Sequence, residues 1–225
     1  MKKCSQCQNN LNYNCETCIL RLSGKTLFYN VPSSLLQEIE HVDEHISINT
    51  KIYEENESNT YLYSITKGIV KLSITDASYK TRATSLLTAG MSFGLEVINK
   101  SSYLQNATSI TPVKVCKIKL AREQINESKS LLENTLKKWQ ENITNQNQII
   151  EKFSMGDTHT RIIRLFHYLK ENSPLEEKNN FYLPRLEDIS SIVNVSKENC
   201  SRALSKIKKM KEIILVDKKS KIYKT

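Results

Sequence analysis

The hydrophobic period of this chain changes near residue 120, and that change limits what it can fold into. From about Ile46 to Leu120, short runs rich in β-branched and aromatic residues recur: KIY, YLYSI, GIVKLSI, ATSLL, NATSI and VKVCKIKL. Polar or Gly-containing stretches such as EENESN, TKG and TDASYK separate them. Regular short strands with turn signals predict an antiparallel sandwich or barrel. In GIVKLSI, Ile69, Lys71 and Ser73 alternate with Val70, Leu72 and Ile74. One buried face is expected there, carrying the second set. Upstream, FYNVPSSLLQEIEHV predicts a short helix capped by Ser33 or Ser34.

Downstream the period is helical. Leu132, Leu136, Trp139, Ile143, Gln146, Ile150 and Phe153 are spaced 4, 3, 4, 3, 4 and 3. A heptad seam of this kind belongs to a helix that pairs along a partner helix, or to one that packs on its own domain. Gln146 places a polar group in the seam, which weakens pairing while fixing its register.

Asp157 or Thr158 is placed to cap a further helix with Ile162, Ile163, Leu165, Phe166 and Leu169 on its apolar face. Leu186–Val193 is a short apolar-faced helix, and Asn194-Val195-Ser196 a tight connection. Asn tolerates a left-handed backbone, and Ser196 is a good N-cap for a second helix running to about Met210. That helix turns Cys200, Ala203, Leu204 and Ile207 inward, and Lys197, Glu198, Ser201, Arg202 and Lys206 outward. IILVDKKSKIY then reads as two short strands around DKKS. The pattern is a winged helix-turn-helix. Glu198, Ser201 and Arg202 share one face near the helix start, where Arg can donate to guanine O6/N7 and Glu can accept from cytosine N4. Of the net charge of +9, the stretch 197–225 contributes ten Lys/Arg against three acids. A local basic excess suits a polyanion such as double-stranded DNA.

Four of the six cysteines fall in the first 18 residues, as Cys4-x2-Cys7-x7-Cys15-x2-Cys18. Cys116 lies in a strand pattern, and Cys200 reads as packing. No segment approaches the roughly 20 apolar residues of a membrane helix. Lys2 and Lys3 lead into polar residues, so no signal peptide and a cytoplasmic protein without membrane association are expected. In that compartment clustered thiols read as metal ligands or redox groups, and two CxxC pairs suit zinc or an iron–sulfur cluster. No phosphate-binding glycine loop is present, and His41, His45, His159 and His167 join no catalytic motif. His41-x3-His45 would share a helix face and is expected to be a surface pair; an enzyme is not expected.

The order of strands, long helix, helix-turn-helix and wing resembles the Crp/Fnr superfamily of bacterial transcription regulators over nearly the whole chain. Within SKENCSRALSKIKK, Glu198-x2-Ser201-Arg202 is similar to the E-x2-S-R recognition motif of the Fnr branch. The resemblance implies an α+β chain in four parts. These are a Cys-rich sensor segment (1–25) and an antiparallel β-roll of the double-stranded β-helix or jelly-roll type (26–125). A long dimerisation helix (126–154) and a winged helix-turn-helix (155–225) complete it. It also implies a homodimer on a TTGAT-like palindrome, contact with RNA polymerase, and an oxygen- or redox-labile 4Fe–4S cluster. The family's cluster uses three N-terminal cysteines and one on a β-roll strand, the position Cys116 occupies. The usual N-terminal spacing, C-x2-C-x5-C, laid on Cys15-x2-Cys18, puts Gly24 at the third position. The ligands implied are Cys18, Cys15 and Cys116 with Cys7 or Cys4, while zinc held by the four N-terminal thiols stays open. Phe93-Gly94-Leu95-Glu96 resembles the ribose-binding start of the cyclic-nucleotide branch. The INKSSYLQNATSI that follows offers no Arg for a phosphate, so no cyclic nucleotide is expected.

Overall fold

The computed structural model describes residues 15, 18–58, 61–99, 102–177 and 179–224. Cys4 and Cys7, and most of the 1–25 segment, lie outside these residues. Two short helices come first, α1 (Ile19–Leu22) and α2 (Ser33–Glu38). Eight strands follow: β1 (Glu40–Ile46), β2 (Lys51–Tyr53), β3 (Tyr61–Lys67), β4 (Val70–Thr75), β5 (Thr81–Leu87), β6 (Ser92–Phe93), β7 (Asn106–Ser109) and β8 (Val113–Lys119). They form two four-stranded antiparallel sheets, ordered β1-β8-β3-β6 and β2-β7-β4-β5. Between them Tyr53, Tyr63, Phe93, Tyr103, Val70, Leu72 and Val115 make a closed core. Tyr53 stacks on Tyr103 at 3.5 Å between ring centroids, and Tyr63 on Phe93 at 5.0 Å.

The helices that follow are α3 (Arg122–Glu127), α4 (Lys129–Ser154) and α5 (Thr158–Glu171). The expected boundary at 125/126 therefore falls inside α3. Ser128 caps α4, its Oγ accepting from Leu131 N at 3.3 Å, and Asp157 caps α5 through Thr160 N at 3.1 Å. Pro32, and not Ser33 or Ser34, is the N-cap residue of α2. The C-terminal unit adds β9 (Asn180–Tyr182), α6 (Leu186–Val193), α7 (Lys197–Lys209), β10 (Ile214–Asp217) and β11 (Ile222–Lys224). Its small sheet is ordered β10-β11-β9. Among the described residues no helix is long and apolar enough to cross a membrane.

The structure corrects three further expectations. His41 and His45 lie on β1, not on a helix, because Glu40–Ile46 pairs with β8 along its whole length. GIVKLSI is buried on both faces: Ile69, Lys71 and Ser73 are as enclosed as Val70 and Leu72, while Ile74 is exposed. The outer face is covered because Ile69, Ala83, Leu86 and Ile110 share one apolar core with α5, α6 and α7. Phe153 leaves the seam: it is fully buried in that same core, edge-on to Tyr168.

The inner face of α4 carries polar groups that donate to the roll, while the buried Oδ1 atoms of Asn142 and Asn145 find no hydrogen-bond partner among the described residues. Lys138 Nζ donates to Gly90 O (2.9 Å), Asn142 Nδ2 to Ser92 O (3.0 Å) and Asn145 Nδ2 to Leu86 O (3.0 Å). These bonds engage backbone carbonyls of the roll, Leu86 O accepting from the Tyr168 hydroxyl as well, and they set the register of the helix on the roll.

Candidate metal centre and nucleic-acid interface

The chain before β1 is fastened to the roll. Leu27, Phe28 and Val31 are buried with Leu36, Leu62, Ile118, Leu120 and Leu131. Arg21, at the end of α1, donates to three backbone carbonyls: Phe28 O (2.9 Å), Val31 O (2.9 Å) and Cys15 O (3.3 Å). A guanidinium has five donors in a fixed fork, so one side chain holds a whole loop. Gly24 turns that loop with φ +73°, a left-handed conformation that other L residues adopt with strain. Asn134 of α4 completes the attachment, donating to Leu27 O (2.9 Å) and Tyr29 O (2.6 Å).

The fastened segment roofs a pocket of about 340 Å³ whose floor is sheet β1-β8-β3. Cys15, Cys18 and Cys116 all line it, with His41, Asp43 and Ser64. The register explains the floor, since Cys116 stands opposite Asp43 on one side and Ser64 on the other. Ile19, Leu20, Phe28 and Ile118 supply apolar wall, and Arg21, Lys67 and Lys114 positive charge. Lys114 Nζ lies 3.0 Å from Asp43 Oδ2. Cys15 Sγ is 3.0 Å from His41 Nε2, a contact the spacing of the cysteines gave no sign of. Among the described residues, no three Cys, His, Asp or Glu side chains converge closely enough to ligate one ion. The donor chemistry nevertheless fits a soft metal or cluster: three thiols and an imidazole line one partly apolar pocket.

At the other end of the chain, Asn194 ends α6 in the left-handed conformation (φ 52°, ψ 53°), and Ser196 Oγ accepts from Asn199 N at 3.2 Å to start α7. Cys200, Leu204 and Ile207 are buried, and burial raises the Cys200 thiol to about 11. Lys197, Glu198, Ser201, Arg202 and Lys206 are all exposed. Arg202 Nη2 donates to Glu198 Oε1 at 2.6 Å, and Lys197 Nζ is 3.5 Å from Glu187 Oε1 of α6. In the β10–β11 turn, the Ser220 hydroxyl and then the backbone N–H groups of Lys219 and Ser220 hold the Asp217 carboxyl below the usual carboxylate range.

On α4 the rest of the expected seam faces outward. Leu132, Leu136, Trp139, Ile143 and Ile150 are exposed, Leu136 by 61% and Ile143 by 56%. Gln146 is half-buried beside them.

The stretch resembling a nucleotide-binding turn is filled by protein. Gly94 (φ +72°) packs so closely on Tyr103 and Tyr61 O that a Cβ would meet them at 3.1 and 3.2 Å. The carboxylate of Glu96 accepts from Leu104 N at 3.2 Å.

A sequence model of the cyclic nucleotide-binding domain matches residues 44–124. No curated protein matches the chain in sequence. Among solved structures, a CRP-family transcriptional regulator from Thermus thermophilus superposes with a TM-score of 0.68 at 16% identity, over 80% of this chain and 90% of its own. A Crp/Fnr-family regulator from Eubacterium rectale gives 0.66 at 16% identity, over 88% and 92%. FixK2 from Bradyrhizobium japonicum gives 0.64 at 15% identity, over 82% and 92%. The domain match over the roll, with the superposition of these structures over most of the chain, gives this chain the fold of a CRP/FNR-type transcription regulator.

Proposed function

We propose that the chain is a homodimeric, DNA-binding transcription regulator of the cytoplasm, controlled by an oxygen- or redox-labile 4Fe–4S cluster. Cys15, Cys18 and Cys116 would be ligands, with Cys7 or Cys4 as the fourth implied by the family resemblance. The observation that carries this reading is the shared pocket: thiols from opposite ends of the first half of the chain line one wall-to-floor cavity. When bound, the cluster would supply the oxygen-labile group.

The chain's own residues supply the coupling. Arg21 folds the cysteine segment back onto the roll, and Asn134 ties its far end to α4. Asn134 sits between Leu132 and Leu136, so order in the segment is felt beside the exposed apolar stripe. That stripe suits pairing with a second α4, Gln146 marking the register. Pairing would set two copies of α7 about one DNA turn apart as recognition helices of a winged helix-turn-helix, with β10–β11 as wings. Glu198, Ser201 and Arg202 would read a TTGAT-like half-site, and Lys197 and Lys206 would neutralise phosphates. The Glu198–Arg202 pair is exposed and worth a few tenths of a kcal/mol, so DNA can open it at little cost.

The domain match leaves a ligand of the roll open. A cyclic nucleotide is disfavoured by the missing Arg, by the engaged Glu96 carboxylate and by the packed rings beside Gly94. RNA polymerase is the expected downstream partner.

The test is purification without oxygen, with assays of iron, sulfide and zinc and operator binding before and after air. The expected result is iron with sulfide, and weaker binding after air. Equal binding in both states, or zinc without sulfide, would overturn the reading.

A further inference from the structure

We infer that Lys71 is a positioning residue for DNA reading: by seating Asp188 of α6 on the β-roll, it sets the aim of α7. The inference rests on the reading that α7 is a recognition helix.

The place of this lysine needs a reason. Lys71 lies on β4, between β5 and β7, in the interior of a sheet. Leu86 stands opposite it in the ladder, and both Leu86 and Ile69 belong to the core shared with α5, α6 and α7. Lys71 itself is buried. Enclosing an ammonium costs desolvation that an apolar pair of similar volume would avoid, so stability alone does not account for a charge here.

Its bonds do. Lys71 Nζ donates to Asp188 Oδ1 (2.5 Å) and, at greater length, to Ser191 Oγ (3.4 Å). Ser191 Oγ in turn donates to Asp188 O (2.8 Å), one turn back along α6. One ammonium thus grips two positions, i and i+3, on a single helix face. The apolar contacts around it are non-directional and permit sliding, whereas a charge-assisted hydrogen bond fixes distance and angle.

α6 passes the constraint on. Residues 188–193 are all buried, and α6 packs against α4, α5, α7 and β5. Arg161 of α5 donates to Val193 O at 3.2 Å, and Lys197 of α7 lies 3.5 Å from Glu187. Asn194 then turns the chain in the left-handed conformation, and Ser196 caps α7. So short a connection makes α7 follow α6. In a dimer two copies of α7 must lie about one DNA turn apart, and base-edge hydrogen bonds weaken steeply when misaligned. A shift of α6 on the roll is therefore felt at both reading helices.

The experiment uses the full chain, purified without oxygen, in three forms: wild type, the apolar pair Lys71→Met/Asp188→Leu and the amide pair Lys71→Gln/Asp188→Asn. Denaturation midpoint, sedimentation and DNA binding are measured. The probes are a duplex that the wild type selects from a random-sequence pool and a scrambled duplex of the same composition. The apolar pair is expected to form dimers and to melt close to wild type, because well-packed apolar groups replace a buried ion pair without loss. It is nevertheless expected to bind the selected duplex about tenfold or more weakly, the scale of one lost base-reading contact. Its affinity for scrambled DNA and its salt slope are expected to hold, since the phosphate-neutralising lysines are untouched. The amide pair keeps a hydrogen bond at the same place and is expected to restore most of the preference. The deciding quantity is the ratio of the two affinities, which unfolded protein leaves unchanged because it lowers both alike. An unchanged ratio in the apolar pair would overturn the inference and leave the proposed function standing. An amide pair as impaired as the apolar pair would also overturn it. A wild type that selects no DNA sequence would defeat the proposed function and the inference together.

Discussion

Lys71 Nζ stands 2.5 Å from Asp188 Oδ1, and the two side chains, both more than nine-tenths buried, join the β-roll to α6. Ser191 Oγ lies 3.4 Å from the same ammonium. Removing one partner of a buried pair strands the other charge, at a cost of about 3–5 kcal/mol. Lys71→Ala and Asp188→Ala are each expected to lose that much in chemical denaturation. Replacing both by Met and Leu is expected to recover most of it. A single substitution costing under about 1 kcal/mol would show that the pair is not closed in solution.

The two faces of α4 separate association from folding. Leu136→Glu or Ile143→Glu places a charge on the exposed stripe and is expected to yield monomers in sedimentation with little change in melting temperature. Phe153→Ala is expected to cost about 3–5 kcal/mol of stability, because it opens a cavity in the shared core. If Phe153→Ala were silent in stability and made monomers, the assignment of faces would be reversed.

On α7, Arg202→Ala is expected to weaken operator binding by about 1–3 kcal/mol and to relax preference at one base position. Lys206→Ala is expected to weaken binding to all sequences alike and to lower the salt slope by about one. Binding titrations at several salt concentrations, on the palindrome and on scrambled DNA, distinguish the two. Loss of sequence preference in Lys206→Ala would contradict a phosphate-neutralising role for that lysine.

The clamp of Arg21 is testable without metal. Arg21→Lys keeps the charge but not the fork, so it is expected to behave like Arg21→Ala. Each hydrogen bond to a charged donor is worth about 1.5–3 kcal/mol. Amides of residues 18–31 should therefore exchange at least about tenfold faster in either variant. Unchanged exchange would mean that the apolar anchors Leu27, Phe28 and Val31 hold the segment alone.

Burial of Cys200 makes a pH prediction. Its folded thiol is raised to about 11, above that of an unfolded chain. The unfolded thiol therefore ionises first as pH rises. The stability Cys200 contributes is full below the ordinary thiol range and falls as pH climbs toward about 11. Cys200→Ala should remove that part of the alkaline decline in denaturation curves. An identical decline in both proteins would assign it to the buried tyrosines, whose hydroxyls are also raised by burial.

Local chemistry made much of the fold readable. Asn194 and Ser196 mark the turn and cap before α7 because their side chains act on their own backbone. The strand runs between 46 and 120 announce an antiparallel sandwich or barrel through composition and turns. What stayed hidden was decided across distance. Glu40–Ile46 carries charged residues and two histidines, and becomes a strand only because β8 offers it a ladder. Lys71 looks like a surface residue until α6 covers it with Asp188. Phe153 fits the heptad arithmetic, yet the end of α4 turns it toward Tyr168. His41 shows no motif because its partner Cys15 comes from another element, and spacing carries no record of that contact.

The two hydrogen bonds from Asn134 to Leu27 O and Tyr29 O have a consequence beyond holding a loop. Coupling between two binding events is thermodynamically reciprocal. If order in the cysteine segment favours the DNA-competent pair, then DNA must in turn favour order in that segment, by the same factor. A regulator seated on its operator would then hold its cofactor more tightly than one adrift in solution. The affinity of the sensor would depend on where the molecule is bound as well as on its own ligands.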